Sequence, residues 1–79
     1  MKAHITVTLK SGVLDPQGKA VERSLHALGF HTAQGVRVGK YVEINLGTLD
    51  PSAAERQVKE MCEKLLANTV IESYRFDLE

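Results

Sequence analysis

Apolar and polar residues alternate strictly over residues 3–9, where Ala3, Ile5, Val7 and Leu9 interleave with His4, Thr6 and Thr8. A period of two, with β-branched residues on both faces, predicts a half-buried strand. Ser11-Gly12 ends it. The period then lengthens. Val21, Leu25 and Leu28 recur at helical spacing behind Leu14-Asp15-Pro16. Asp15 suits the N-cap, where its carboxylate can accept free backbone N–H groups, and Pro16 at the first helical position has no N–H to leave unpaired. Gly29 can take the left-handed conformation that closes a helix, with Phe30 packing back on the last turn. These signals predict a helix over 16–28, its first turn slightly weakened by Gly18.

Residues 32–47 read as two strands joined at Gly39-Lys40, a dipeptide that suits a type II′ hairpin turn. The parity is in conflict with a strict two-residue loop. Val36 and Val38 share a parity with Val42, Ile44 and Leu46. Placing all five on one face needs a three-residue loop, Gly39-Lys40-Tyr41, or a bulge. Otherwise both faces of the hairpin are partly buried.

Leu49-Asp50-Pro51 repeats the earlier Leu14-Asp15-Pro16 and predicts a second capped helix over 51–67. Its apolar stripe is Ala54, Val58, Met61 and Leu65, with Cys62 and Leu66 beside it. Glu60 and Lys64 form an i, i+4 pair on the opposite side, and Asn68 is placed to cap the C-terminus. Residues 70–78 form a last strand, with Val70, Tyr74, Phe76 and Leu78 on one face.

The order is βαββαβ, which predicts an α+β, ferredoxin-like domain over residues 1–79: a four-stranded antiparallel sheet with both helices on one face. The other face has no cover within the chain. It would carry His4, Thr6, Thr8, Arg37, Glu43 and Tyr41, with Gly39 and Lys40 at the hairpin tip. In so small a domain this face reads as a partner or oligomer surface in preference to a solvated one.

Composition narrows the classes. Lys plus Arg number 10 and Asp plus Glu number 10, so the formal net charge is zero. Nucleic-acid binders carry a basic excess, so none is expected here. Neutrality also removes the self-repulsion that keeps copies apart, and a homodimer or tetramer is expected. Cys62 is the only cysteine, which rules out an intrachain disulfide and a CxxC metal or redox pair. Nothing in the chain is apolar enough for a signal peptide or a membrane span, so the expected location is cytoplasmic.

Catalytic chemistry is absent from the pattern. Cys62 falls beside the core stripe of a helix and reads as a small buried hydrophobe. His4, His26 and His31 lack ligand spacing and an acidic cluster. Gly35, Gly39 and Gly47 do not form a phosphate loop. Catalytic, cofactor and metal residues are therefore all expected to be absent. An RNA-recognition module needs stacking aromatics where this chain has Thr6, Thr8 and Glu43. An amino-acid-binding regulatory (ACT-like) domain shares the element order and would use Lys10-Ser11-Gly12-Val13 as its ligand loop; composition does not separate it from the assembly reading.

Three runs carry a family resemblance. Lys10-Ser11-Gly12-Val13-Leu14-Asp15-Pro16-Gln17-Gly18, Val36-Arg37-Val38-Gly39-Lys40-Tyr41, and residues 61–72 from Met61-Cys62-Glu63-Lys64 to Val70-Ile71-Glu72 together resemble the PurS family. PurS is the small subunit of phosphoribosylformylglycinamidine synthase, a purine-biosynthesis enzyme. The resemblance implies a non-catalytic, dimeric bridge between a glutaminase, PurQ, and an ATP-dependent synthetase, PurL. In that system glutamine yields ammonia in one subunit and the other consumes it to form the amidine. ATP and magnesium would belong to the synthetase.

Overall fold

The computed structural model describes residues 1–79. The alternating N-terminal run forms strand β1, Lys2–Leu9. It lies between β2, Lys40–Asn45, and β3, Glu72–Leu78, both antiparallel to it. Register follows the alternation. Ala3, Ile5 and Val7 face Ile44, Val42 and Lys40 on one side, and Leu78, Phe76 and Tyr74 on the other. One sheet face is thus apolar.

That face is covered by helix α2, Pro51–Met61, which continues as a π-helical turn over Cys62–Leu66. Asp50 caps it by accepting the Ala53 N–H at 3.3 Å. Ala3, Ile5, Val7, Val58, Cys62 and Ala67 form the buried core. The helix therefore points Ala54, Val58 and Cys62 inward, an i, i+4 line. The predicted stripe through Met61 and Leu65 is corrected: the π turn directs Leu65 to solvent, where it is 82% exposed, while Leu66 and Ala67 turn to the sheet. Val70 precedes the last strand and is exposed as well.

Helix α1, Pro16–Ala27, forms where its caps predict. Asp15 accepts the Gly18 N–H at 2.8 Å. At the other end Gly29 has φ +98°, its N–H reaches the His26 carbonyl at 3.0 Å, and the Phe30 N–H reaches that of Leu25 at 2.9 Å. This is the paired closure a left-handed glycine allows.

Two features of the predicted architecture are not present. The sheet has three strands, because residues 32–38 pair with no strand. Two of their N–H groups are held by side chains of α1 and of the residue that caps it: Glu22 accepts from Gly35 at 2.8 Å, and Asp15 accepts from Val38 at 2.8 Å. No hairpin turn forms at Gly39-Lys40, and Gly39 lacks the positive φ a II′ turn requires. Gly39 instead lies flat against β1, where a Cβ would overlap the Val7 carbonyl oxygen. The second correction concerns α1, which does not cover the sheet. It packs on its own returning segment, residues 33–38, and the pair projects as an arm beyond the Leu9 end of β1. The chain is correspondingly long and thin, 48 × 24 × 14 Å, with a radius of gyration of 15.9 Å; a compact chain of this length would have about 12 Å.

Candidate partner surface

The alternation that buries Ala3, Ile5 and Val7 sends His4, Thr6 and Thr8 to the opposite face. Register brings Glu43 and Asp77 beside His4, Tyr41 and Arg75 beside Thr6, and Ser73 beside Thr8. No element of the chain covers this face. Of the residues singled out from sequence, His4, Thr6, Thr8, Tyr41 and Glu43 come together here. Ser73, Arg75, Asp77 and Glu79 belong to the same face; the alternation of the last strand was the signal that places them there.

His4 is the hub. Its Nε2 lies 2.7 Å from Glu79 Oε2, and its Nδ1 meets the Tyr41 hydroxyl and lies 3.4 Å from Glu43 Oε2. The Tyr41 hydroxyl donates to Glu43 at 2.9 Å. The His4 and Tyr41 rings stack with planes 15° apart. Desolvation on the sheet pushes the Tyr41 phenol above its ordinary value, and the adjoining Glu43 carboxylate pushes the same way. Both ring nitrogens of His4 are engaged by the chain's own groups, so it is not poised as a general base. The face offers an array of hydroxyl, carboxylate and guanidinium groups. Such an array fits a protein surface and holds no nucleophile–base pair.

The other predicted surface residues have different duties. Arg37 donates from Nη2 to the Leu9 and Lys10 carbonyls at 2.6 and 3.1 Å, and its Nε is 3.7 Å from Asp15. It latches the arm to the end of β1. Gly39 makes the close approach to Val7 described above, and Lys40 opens β2 opposite Val7. These three lie at the border between sheet and arm.

Beside the Gly12-Val13 loop is a cleft of about 350 Å³ lined by Asp15, Lys19, Glu22 and Arg37 among others. Its two carboxylates and its guanidinium are already committed to Gly18, Val38, Gly35, Leu9 and Lys10. Nothing therefore favours the regulatory-domain alternative, which needs converging free groups for an amino acid. No group of three or more His, Cys, Asp or Glu side chains is placed to hold a metal ion. Cys62 is fully buried, and that burial pushes its thiol above the ordinary value, with Glu63 adding to it. No helix is long and apolar enough to cross a membrane.

Residues 2–79 match the family model PurS, phosphoribosylformylglycinamidine (FGAM) synthase. The PurS subunit of phosphoribosylformylglycinamidine synthase from Bacillus subtilis is 51% identical over 78 residues, 99% of this chain and 92% of its own. Its crystal structure superposes with a TM-score of 0.87. PurS from Methanocaldococcus jannaschii, a subunit of formylglycinamide ribonucleotide amidotransferase in the purine biosynthetic pathway, superposes equally, with a TM-score of 0.87 and 38% identity over 99% of this chain and 94% of that one. So does a chain of the PurLQS structure from Thermotoga maritima, with a TM-score of 0.87 and 33% identity over 96% of this chain and 93% of that one. The chain belongs to the PurS family of phosphoribosylformylglycinamidine synthase subunits.

Proposed function

We propose that the chain, acting as one unit over residues 1–79, is a non-catalytic bridge between a PurQ-type glutaminase and a PurL-type ATP-dependent synthetase, and supports ammonia transfer between them in purine biosynthesis. The observation that carries this reading is the uncovered polar sheet face, whose one histidine is tied up by its neighbours while the hydroxyls and charges around it stand ready to meet a partner. Likeness to a chain of the PurLQS structure supports the identity of those partners. In this reading His4, Thr6, Thr8, Tyr41 and Glu43 form the contact surface, with Arg37, Gly39 and Lys40 shaping its border. ATP and magnesium belong to the synthetase, and the assembly works in the cytoplasm.

The bridge acts through geometry. Ammonia released by a free glutaminase dilutes into solvent and protonates; holding two active sites in one particle raises its effective concentration at the second. The chain self-associates as a homodimer or tetramer.

The test is assembly. Glutaminase and synthetase are mixed with and without the chain and run on gel filtration with light scattering. The three should co-elute only when the chain is present, and Thr6→Arg on the open face should abolish co-elution. Co-elution of the two enzymes without the chain would remove the bridge.

A further inference from the structure

The open sheet face is divided by charge along β1. Around His4 it carries the carboxylates of Glu43, Asp77 and Glu79. By Thr8, about 13 Å along the strand, the acids have given way to hydroxyls and a guanidinium. There Thr6 stands opposite Arg75 and Thr8 opposite Ser73, and these residues line a hollow of about 270 Å³. Thr8, Ser73 and Arg75 are exposed and Thr6 is half-buried. The acidic end is satisfied internally, since His4 is tied to Glu79 and Tyr41, and Tyr41 to Glu43. The hollow is not. None of its four polar side chains makes a hydrogen bond or an ion pair within the chain. Arg37, anchored on the Leu9 and Lys10 carbonyls, puts a second guanidinium at this end of the strand.

We infer that the hollow seats a carboxylate side chain of a partner enzyme subunit, with the Arg75 guanidinium across its two oxygens and the Thr6, Thr8 and Ser73 hydroxyls donating around it. The inference rests on the bridging reading of the proposed function and adds the chemistry of one contact. Every free side chain in the hollow can donate, which is what an oxyanion requires. The planar fork of an arginine matches the two oxygens of a carboxylate. Side chains on facing strands stand about 5 Å apart, and alternate ones on a strand about 7 Å. The frame therefore admits one carboxylate with hydrogen bonds of about 2.8 Å. A dissolved anion is the poorer occupant. An exposed guanidinium holds a free ion weakly, whereas a protein surface that closes over the face excludes water and strengthens the same pair. The division of charge also gives docking a direction. Placed one way, the partner lays its carboxylate on Arg75. Turned end for end, it meets Glu43, Asp77 and Glu79 and is repelled. A bridge has to hold two active sites in one fixed relation, and this contact supplies an orientation.

The experiment measures binding of the full chain to the PurL-type synthetase and to the PurQ-type glutaminase, each in turn, by titration calorimetry. Wild type is compared with Arg75→Gln, Arg75→Lys and Thr8→Glu, after circular dichroism and light scattering of each chain alone. Arg75→Gln should weaken binding to one of the enzymes by about tenfold or more, and added salt should narrow that gap. Arg75→Lys should recover only part of it, because the charge returns without the fork. Thr8→Glu alters an exposed position and places a carboxylate in the hollow, so it should weaken the same complex even if Arg75→Gln does not fold. Unchanged affinity for both enzymes in Arg75→Gln, or tighter binding by Thr8→Glu, overturns the inference and leaves the bridge standing. A wild-type chain that binds neither enzyme overturns both. A smaller particle mass for Arg75→Gln alone gives the hollow to a second copy and overturns the inference. Saturable amide shifts at Thr8 and Ser73 with millimolar inorganic phosphate, absent with sodium acetate, give it to a phosphate and overturn it as well.

Discussion

Asp15 accepts the backbone N–H of Val38 at 2.8 Å. The same carboxylate caps α1 through the Gly18 N–H and lies 3.7 Å from the Arg37 guanidinium. One buried side chain thus starts the helix and ties down the strand-like segment that returns past it. A Cβ at Gly18 would overlap the Val36 carbonyl oxygen, so glycine there lets helix and segment touch.

Removing that carboxylate should open the arm and spare the core. In Asp15→Ala, two N–H groups lose their acceptor at once. Amide exchange at Gly18 and Val38 should rise about tenfold or more, while Ile5 and Val58 keep their protection. Equal loosening of all four would show that arm and core unfold together. Protonation should act in the same direction. The Val38 and Gly18 N–H groups hold Asp15 below the ordinary value of 3.8. Its contribution is therefore present above pH 3.8 and is lost as pH falls through the lower folded value. Asp15→Asn should remove this acid-limb loss from the exchange profile.

Gly39 tests the junction of arm and sheet. Gly39→Val drives a side chain into the Val7 carbonyl and the Thr8 methyl. Overpacking of this kind costs about 1–3 kcal/mol, and a domain this size loses roughly 4–8 °C per kcal/mol. Thermal melting at fixed protein concentration checks it; an unaltered curve would mean that β2 can begin after Gly39 without this contact.

Most of the elements were legible in the sequence because their signals are local. Alternation placed the first and last strands, and the two Asp-Pro starts with Gly29 placed both helices within a residue or two. The segment over 32–38 was misread because Val36 and Val38 alternate as a strand does, while the acceptors that claim this segment's N–H groups, Asp15 and Glu22, lie 13 to 23 residues away. Periodicity carries no record of that pairing. The parity conflict at Gly39 was the one local trace of it. In the second helix, the π turn at Cys62 shifts the inward line from Leu65 to Leu66, a change set by packing against the sheet and not by spacing. On the candidate surface, His4, Thr6, Thr8, Tyr41 and Glu43 followed from strand parity. The latch role of Arg37 did not, since it depends on where the arm lies.

Tyr74 offers a spectroscopic check of α2 against β3. Its hydroxyl donates to Glu63 at 2.6 Å. That bond first, and burial second, push the phenol up to about 12 from 10.0. A raised value means the contribution is complete below pH 10.0 and is lost as pH rises through about 12. Tyrosinate absorbance should therefore show a late step near pH 12 that is absent from Tyr74→Phe and earlier in Glu63→Gln. A Tyr74 step at the ordinary value would mean that the π turn does not hold Glu63 over the strand.

The bridging account stands or falls on amidine formation driven by two nitrogen sources. Glutaminase and synthetase are assayed with glutamine or with a high concentration of ammonium salt, each with and without the chain. The account predicts a large rise in glutamine-driven turnover on adding the chain, little change with ammonium salt, and full stimulation by Cys62→Ser, whose sulfur is buried in the core. Glutamine-driven turnover that is the same with and without the chain would contradict it.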